Sequence, residues 1–298
     1  MVSLYSLPES SAAAEYVSGI TSEALPAKQY LATPQKIAVS LIEAGFLIGT
    51  TTAVHELGHA RRVRTLGGQS RWETGDRNWW SYLSHRGPLA SGITEWVIPR
   101  IISVDERIQI ASAGFNATTA WDENVGGKGP FWMVPARYST LLYAFSGVAS
   151  GADDLGQIVE LYSKKGYRIT RYEMQGWQLL AGCIGQLNTA VKVYSYFTPS
   201  GVSLRGVTQL DGWLVAAEAV VHGNSRAEVE LGRELDLGSR IKLLPKVLIS
   251  QRGVGGSLQA GIGLGQAKLT MKWQRVPPES LLATRATNSF ELQLTSNF

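Results

Sequence analysis

One cysteine in 298 residues is too few for an internal disulfide, and Cys183 alone cannot build a cysteine-rich metal site. In its setting, LLAGCIGQL, it is expected to pack as a small hydrophobe. Charge is scarce as well: 17% of residues are charged, against about 25% in an average globular protein. The net charge of +4 is not gathered into a basic arm interleaved with aromatics, which argues against nucleic acid as a partner. No internal repeat, low-complexity tract or heptad pattern is present. The first twenty residues have neither a basic n-region nor a continuous apolar core, so they do not read as a secretory signal.

What the chain does have is apolar and aromatic. Hydrophobic residues make up 44%, with nine tryptophans and eleven tyrosines, and the mean hydropathy is −0.02. That balance fits a protein with a large core or one partly embedded in a membrane, where amphipathic rings settle at the interface.

Residues 1–33 read as a small-residue lead-in. Thr33–Pro34 then predicts a helix start, with Thr33 as the cap and proline in the first helical position. No breaker follows until Gly67–Gly68. The run Ile37–Val54 carries only Glu43 as a charge, which predicts a helix lying in a membrane or fully buried. Arg61, Arg62, Arg64 and Arg71 follow it. They read either as the cytoplasmic flank of a span or as cations complementing the helix dipole. Residues 69–106 read as loop with short strands. Two further helices are expected, one closing at Gly166 and one running through RYEMQGWQLLAGCIGQLNTAVKVYSYF to Pro199. From about residue 201 the period becomes two. Val229, Leu231, Leu235 and Leu237 alternate with Glu228, Glu230, Glu234 and Asp236, and Gly265–Gln266 divides a hairpin. The expected fold is therefore α+β: a helical, membrane-associated bundle over 34–200, then an antiparallel meander of about five strands over 201–298. Its apolar face has to be covered by the helical domain, a lipid layer or a neighbouring subunit, the last making a homo-oligomer.

The most specific motif is HELGH, residues 55–59. On a helix, i and i+4 share a face, so His55 and His59 can hold one zinc ion, with Glu56 placed as general base toward the zinc-bound water. A third ligand is needed. His85 and His222 lie in loop-like or strand-edge settings, and Glu95, Glu106 and Glu123 have no helix to aim them. Asp153 and Asp154, in GADDLG, are carboxylates inside an apolar helical stretch, where a lone charge is unfavourable. Adjacent helical residues point about 100° apart, so only one of the two faces the metal. The alternative for these acids is a helix N-terminus.

HELGHARRVRTLGG resembles the first active-site helix of the site-2 protease family of intramembrane zinc metallopeptidases. ASAGFNA, residues 111–117, is similar to that family's Ala-Gly-Pro…Asn element, with Phe115 in the proline position. GADDLG resembles the Leu-Asp-Gly element, and QLDGW, with Asp211, matches it literally. The resemblance implies peptide-bond hydrolysis on a protein or peptide substrate at a membrane of the bacterial envelope. It also implies Asp153, Asp154 or Asp211 as third zinc ligand and Asn116 as a hydrogen-bond donor to oxyanion or substrate. GADDLGQIVELYSKKGY is also similar to the aspartate helix of a second, membrane-linked family of HExxH peptidases. In this chain Ala149 and Ser150 stand where that family has its ligand glutamate. A different resemblance implies a different function. Phe290, Leu292, Leu294 and Phe298 resemble the last strand of outer-membrane β-barrel proteins. That implies a non-enzymatic envelope scaffold in which several chains contribute strands to one assembly.

Overall fold

The structure is a computed structural model that describes residues 32–74, 92–125, 153–187, 190–238, 241–251, 253–264, 267–276 and 287–296. His85, the Gly265–Gln266 turn, Phe298 and most of the lead-in lie outside the described residues. The chain divides into two compact units, one of residues 7–161 and the other of 162–298 with 1–6.

The first unit is organised on α1 (Thr33–Thr65), a helix of 33 residues. It starts one residue earlier than expected. Ala32 is the extended N-cap, Pro34 lies in the first turn, and the Gln35 side chain accepts the Ala32 N–H at 2.9 Å. It stops where the glycines predict. Gly67 takes φ 81°, its N–H reaches the Arg64 carbonyl, and the Gly68 N–H reaches that of Val63 at 2.9 Å. These two bonds make a Schellman cap, which satisfies carbonyls that a helix end leaves open. Arg62 and Arg64 sit in the last turn, matching the dipole-complement reading of these cations. No helix among the described residues is long and apolar enough to cross a membrane. The side chains of 36–50, most of the expected apolar run, lie outside the described residues.

Two short strands, β1 (Gln69–Thr74) and β2 (Gly92–Val97), pair antiparallel and pack on α1. Ser70 Oγ donates to the Ala60 carbonyl at 3.0 Å, fixing β1 to the helix. Next come α2 (Val104–Ala111) and α3 (Ala113–Val125), separated by Ser112. The start of α2 is a capping box: the Glu106 N–H reaches Ser103 Oγ, and Glu106 Oε2 accepts the Ser103 N–H. Val63, Leu66 and Ile110 form a buried cluster, with Ile98 and Ile102 packed against it. The close approach of α3 to α1 depends on Gly58. A Cβ there would lie 2.5 Å from the Ala113 carbonyl oxygen and 2.7 Å from the Ala117 Cβ. The last helix to begin in this unit is α4 (Asp154–Lys164), and the division between the units falls inside it. It ends at Gly166, φ 80°, in a second Schellman cap.

The second unit holds α5 (Arg171–Leu187) and an antiparallel meander. The strands are β3 (Val191–Thr198), β4 (Gly201–Leu210), β5 (Trp213–Gly223), β6 (Ala227–Arg233), β7 (Leu235–Asp236), β8 (Ile241–Ser250), β9 (Gly253–Leu264), β10 (Ala267–Val276) and β11 (Thr287–Ser296). The α+β class with an antiparallel meander is thus present, but with nine strands among the described residues rather than about five. Its start also lies earlier than expected: VKVYSYF is β3, not the end of a helix. Alternating Val, Tyr and Phe suit a pleated strand better than a helix, and that preference prevails after Leu187. α5 packs on β3 and β4. Its buried positions Met174, Gln178 and Ala181 follow helical spacing, which turns Cys183 to the far side. Cys183 is accordingly exposed, a correction to the expectation that it packs as a core hydrophobe.

Candidate metal centre

One turn of α1 separates His55 from His59, and both imidazoles are buried. Their Nε2 atoms lie 3.1 Å apart. Asp154 Oδ2, from the first residue of α4, lies 2.9 Å from His55 Nε2 and 3.1 Å from His59 Nε2. These three residues form a group able to hold a metal ion. The Asp154 side chain keeps 32% of its surface exposed, so the cluster meets solvent on that side.

The two adjacent acids have separate roles. Asp153 caps α4: its Oδ1 accepts the Gly156 N–H at 2.9 Å and its carbonyl accepts the Gln157 N–H. Asp154 is the acid that reaches the histidines. Asp211 has another task again. It takes φ 49° beside Gly212 at φ 80°, and Leu210 pairs with Trp213. Asp-Gly with both residues left-handed is the two-residue turn that joins β4 to β5. The literal Leu-Asp-Gly match is a hairpin turn.

The proton inventory shows what the cluster lacks. His59 Nδ1 donates to the Ile110 carbonyl at 2.7 Å, and a carbonyl can only accept. Ile110 lies in the last turn of α2, where helix carbonyls need outside partners. A neutral His59 therefore presents a bare Nε2 to a carboxylate oxygen and to the second imidazole. Convergent lone pairs call for a cation among them. The His59 ring responds in that sense: burial pushes its pKa down, but the Asp154 charge and hydrogen bond, with Glu56 behind them, raise it on balance. Desolvation pushes the Asp154 carboxyl up, yet the two imidazoles hold it well below the usual carboxylate range.

Donor spacing and space both suit a small divalent ion. Tetrahedral zinc at about 2.0–2.1 Å from each donor needs donor pairs about 3.3 Å apart. The three pairs here measure 2.9, 3.1 and 3.1 Å. A carbonyl bonded to the second nitrogen of a ligand histidine is the usual arrangement at protein metal sites. Room beside the nitrogens is kept by Gly114 in α3. A Cβ there would fall 2.5 Å from His59 Nε2 and closer still to His55 Nε2. With two neutral imidazoles and the carboxylates of Asp154 and Glu56, a dication leaves the buried group neutral.

Glu56 is buried beside this group, and its Oε2 accepts a hydrogen bond from Thr94 Oγ1 of β2 at 2.6 Å. Asn116 is buried on α3, with its side-chain Nδ2 3.4 Å from Ser112 Oγ. It lies about 200° around the helix from Gly114, away from the side that Gly114 turns to the imidazoles. Phe115 meets His55 edge-on, with centroids 5.1 Å apart. Of the other candidates, Glu106 pairs with Arg100 and His222 lies 4.0 Å from Glu173. Glu95 is on β2 and Glu123 on α3. Three contributors escaped the sequence reading: Thr94, the Ile110 carbonyl and Gly114. Only Gly114 left a signal, as the glycine inside ASAGFNA.

No family model, curated protein or solved structure matches this chain. The reading of the site therefore rests on its geometry.

Proposed function

We propose that the chain is a membrane-associated zinc metalloendopeptidase, with His55, His59 and Asp154 as the metal ligands and Glu56 as general base. The observation that carries this reading is the convergence of Asp154 on the two HELGH imidazoles, with a glutamate one residue from the first of them. A zinc ion held there would supply Lewis acidity, polarising a peptide carbonyl and making water acidic enough to lose a proton near neutral pH. The protein's own contribution is to hold acceptors and proton carriers in place. The Ile110 carbonyl keeps the proton of His59 on Nδ1, so Nε2 stays a donor of electrons. Thr94 occupies Glu56 Oε2 and orients that carboxylate, leaving Oε1 to take a proton and pass it to a leaving amine. The buried position of Glu56 keeps bulk water from competing for it.

Elemental analysis of the purified chain should give about one zinc per chain. Glu56→Gln retains shape and hydrogen-bonding capacity but cannot take a proton. It should keep the zinc and lose peptide cleavage. Folded protein that takes up no zinc, or a variant that cleaves as well as wild type, would overturn the reading. A non-enzymatic envelope scaffold is the second reading, and the outward apolar face of the meander favours it. Zinc content separates the two.

A further inference from the structure

Cross-strand register sorts the meander into two faces. Ser203, Arg205, Glu218, Glu228, Glu230 and Lys246 share one of them, because Arg205 pairs with Glu218, Glu218 with Glu228, and Gly232 with Lys246. Val229, Leu231, Val247, Ile249, Leu258 and Trp273 share the other. In a soluble one-sheet protein the apolar face is the buried one. Here the order is reversed. Glu218 is 3% exposed and Glu228 5%, whereas Val229 is 39% and Val247 47% exposed.

The polar face is built to be enclosed. Arg205 Nη2 meets Glu230 Oε2 at 2.8 Å, Lys246 Nζ meets Glu230 Oε1 at 2.7 Å, and Ser203 Oγ donates to Glu218 Oε1 at 2.6 Å. Charges that partner one another across β4, β5, β6 and β8 do not need bulk water. Among the described residues the apolar face carries two cations. Arg233 lies opposite Trp213 and stacks over its ring at 5.3 Å, and Arg275 follows Trp273 by two residues. Arginine and tryptophan are residues that commonly sit where an apolar surface meets water.

We infer that the apolar face of β4–β10 contacts the hydrocarbon of a lipid bilayer. Apolar-out, polar-in alternation is the signature of strands in membranes. A strand needs about 9–11 residues to cross a bilayer. β4, β8 and β10 have 10 residues, β5 has 11 and β9 has 12, and of the strands between them only β6, with 7, and β7, with 2, fall short. β4, β5, β6, β8, β9 and β10 each have a paired strand on both sides, as a segment in hydrocarbon requires, and β3 and β11 are the edges of the sheet. The inference uses nothing from the metal centre, so a chain that enters lipid without binding zinc would retain this assignment and lose the peptidase reading.

The single cysteine makes the test clean. In the full chain carrying Cys183→Ser, a polarity-sensitive fluorophore is attached to Leu231→Cys, Val247→Cys or Leu258→Cys on one face, and to Ser257→Cys or Gln259→Cys on the other. The labelled chains are reconstituted in vesicles of phosphatidylethanolamine and phosphatidylglycerol in equal parts. Emission from the first three should shift to the blue and fall several-fold when the lipids carry brominated acyl chains, and emission from the last two should not respond. The unmodified chain serves where a variant folds poorly: it should float with the vesicles and resist alkaline carbonate. Extraction by carbonate overturns the proposal. So does equal quenching on both faces, or a blue shift in lipid-free buffer that grows with protein concentration, which would mean that a second copy covers the face.

Discussion

Gly114→Ala tests the metal centre without touching a ligand. The added methyl carbon would fall 2.5 Å from His59 Nε2 and closer to His55 Nε2, well inside van der Waals contact. Something has to move. α3 could retreat only by giving up its close packing on α1 at Gly58, where the Ala113 carbonyl and Ala117 Cβ close on that glycine. The imidazoles are therefore the softer element. Overpacking of this kind destabilises a fold by about 1–3 kcal/mol. Displacing ligand rings from their set orientation reduces metal affinity by about 10- to 100-fold, equivalent to about 1.4–2.7 kcal/mol. The assay is a zinc competition titration against a fluorescent chelator, paired with a thermal melt of the metal-free chain. Gly176→Ala, in α5, is the control: a Cβ there meets nothing within 4 Å. That change should leave zinc affinity alone and raise helix stability by about 0.8–1 kcal/mol. Folded Gly114→Ala protein that binds zinc as tightly as wild type would refute the claim that this glycine keeps the site open.

The two acids of GADDLG should separate cleanly. Asp154→Asn should reduce zinc affinity by at least about 10-fold in the same titration. Asp153→Asn should leave it unchanged, because asparagine caps a helix as well as aspartate does, whereas Asp153→Ala should lower stability by about 1 kcal/mol in denaturant melts. The Arg100–Glu106 pair predicts an acid limb in the stability curve. The guanidinium fork of Arg100, at 2.7 and 3.1 Å, is the main cause that holds the Glu106 carboxyl down at about 2, against the opposing effect of burial and with help from Ser103. A carboxyl depressed on folding stabilises above its unfolded value near 4.5, and that contribution is lost as pH falls from there toward about 2. The pair is partly solvated, so the loss should be small beside that of a buried pair. Glu106→Gln should flatten that limb in urea titrations across the acid range, and an unchanged limb would count against the pair.

The local chemistry of this chain could be read from its letters wherever one residue type has one physical use. Gly67 and Gly166 mark helix ends because a left-handed cap excludes most side chains, and His55 and His59 share a face because helix spacing requires it. Long-range choices were not readable. Asp153 and Asp154 are adjacent and identical in type. Only the start of α4 decides that the first takes the cap and the second faces the imidazoles. Asp211 shows the reverse failure, since Leu-Asp-Gly matches a ligand motif and a two-residue hairpin turn equally well. Thr94 and the Ile110 carbonyl reach the site from 38 and 51 positions away in the chain, and neither carries a pattern of its own.

The meander exposes a deeper limit. A period of two states that a strand has two unlike faces, but it is symmetric to the question of which face is enclosed. AEVELGREL reads the same for a sheet on an aqueous surface and for one facing lipid. What breaks the symmetry is pairing across strands far apart in the chain. Glu230 finds Arg205 and Lys246, and Glu218 finds Ser203, so the acids that would ordinarily be assigned to water are satisfied among themselves. Once those charges are enclosed, the valines and leucines between them have only the outside left. Their exposure then follows from the same register that encloses the charges. The lipid assignment proposes an apolar medium for them, because a broad apolar face broken only by Arg233 and Arg275 among the described residues is more than a soluble surface commonly leaves uncovered.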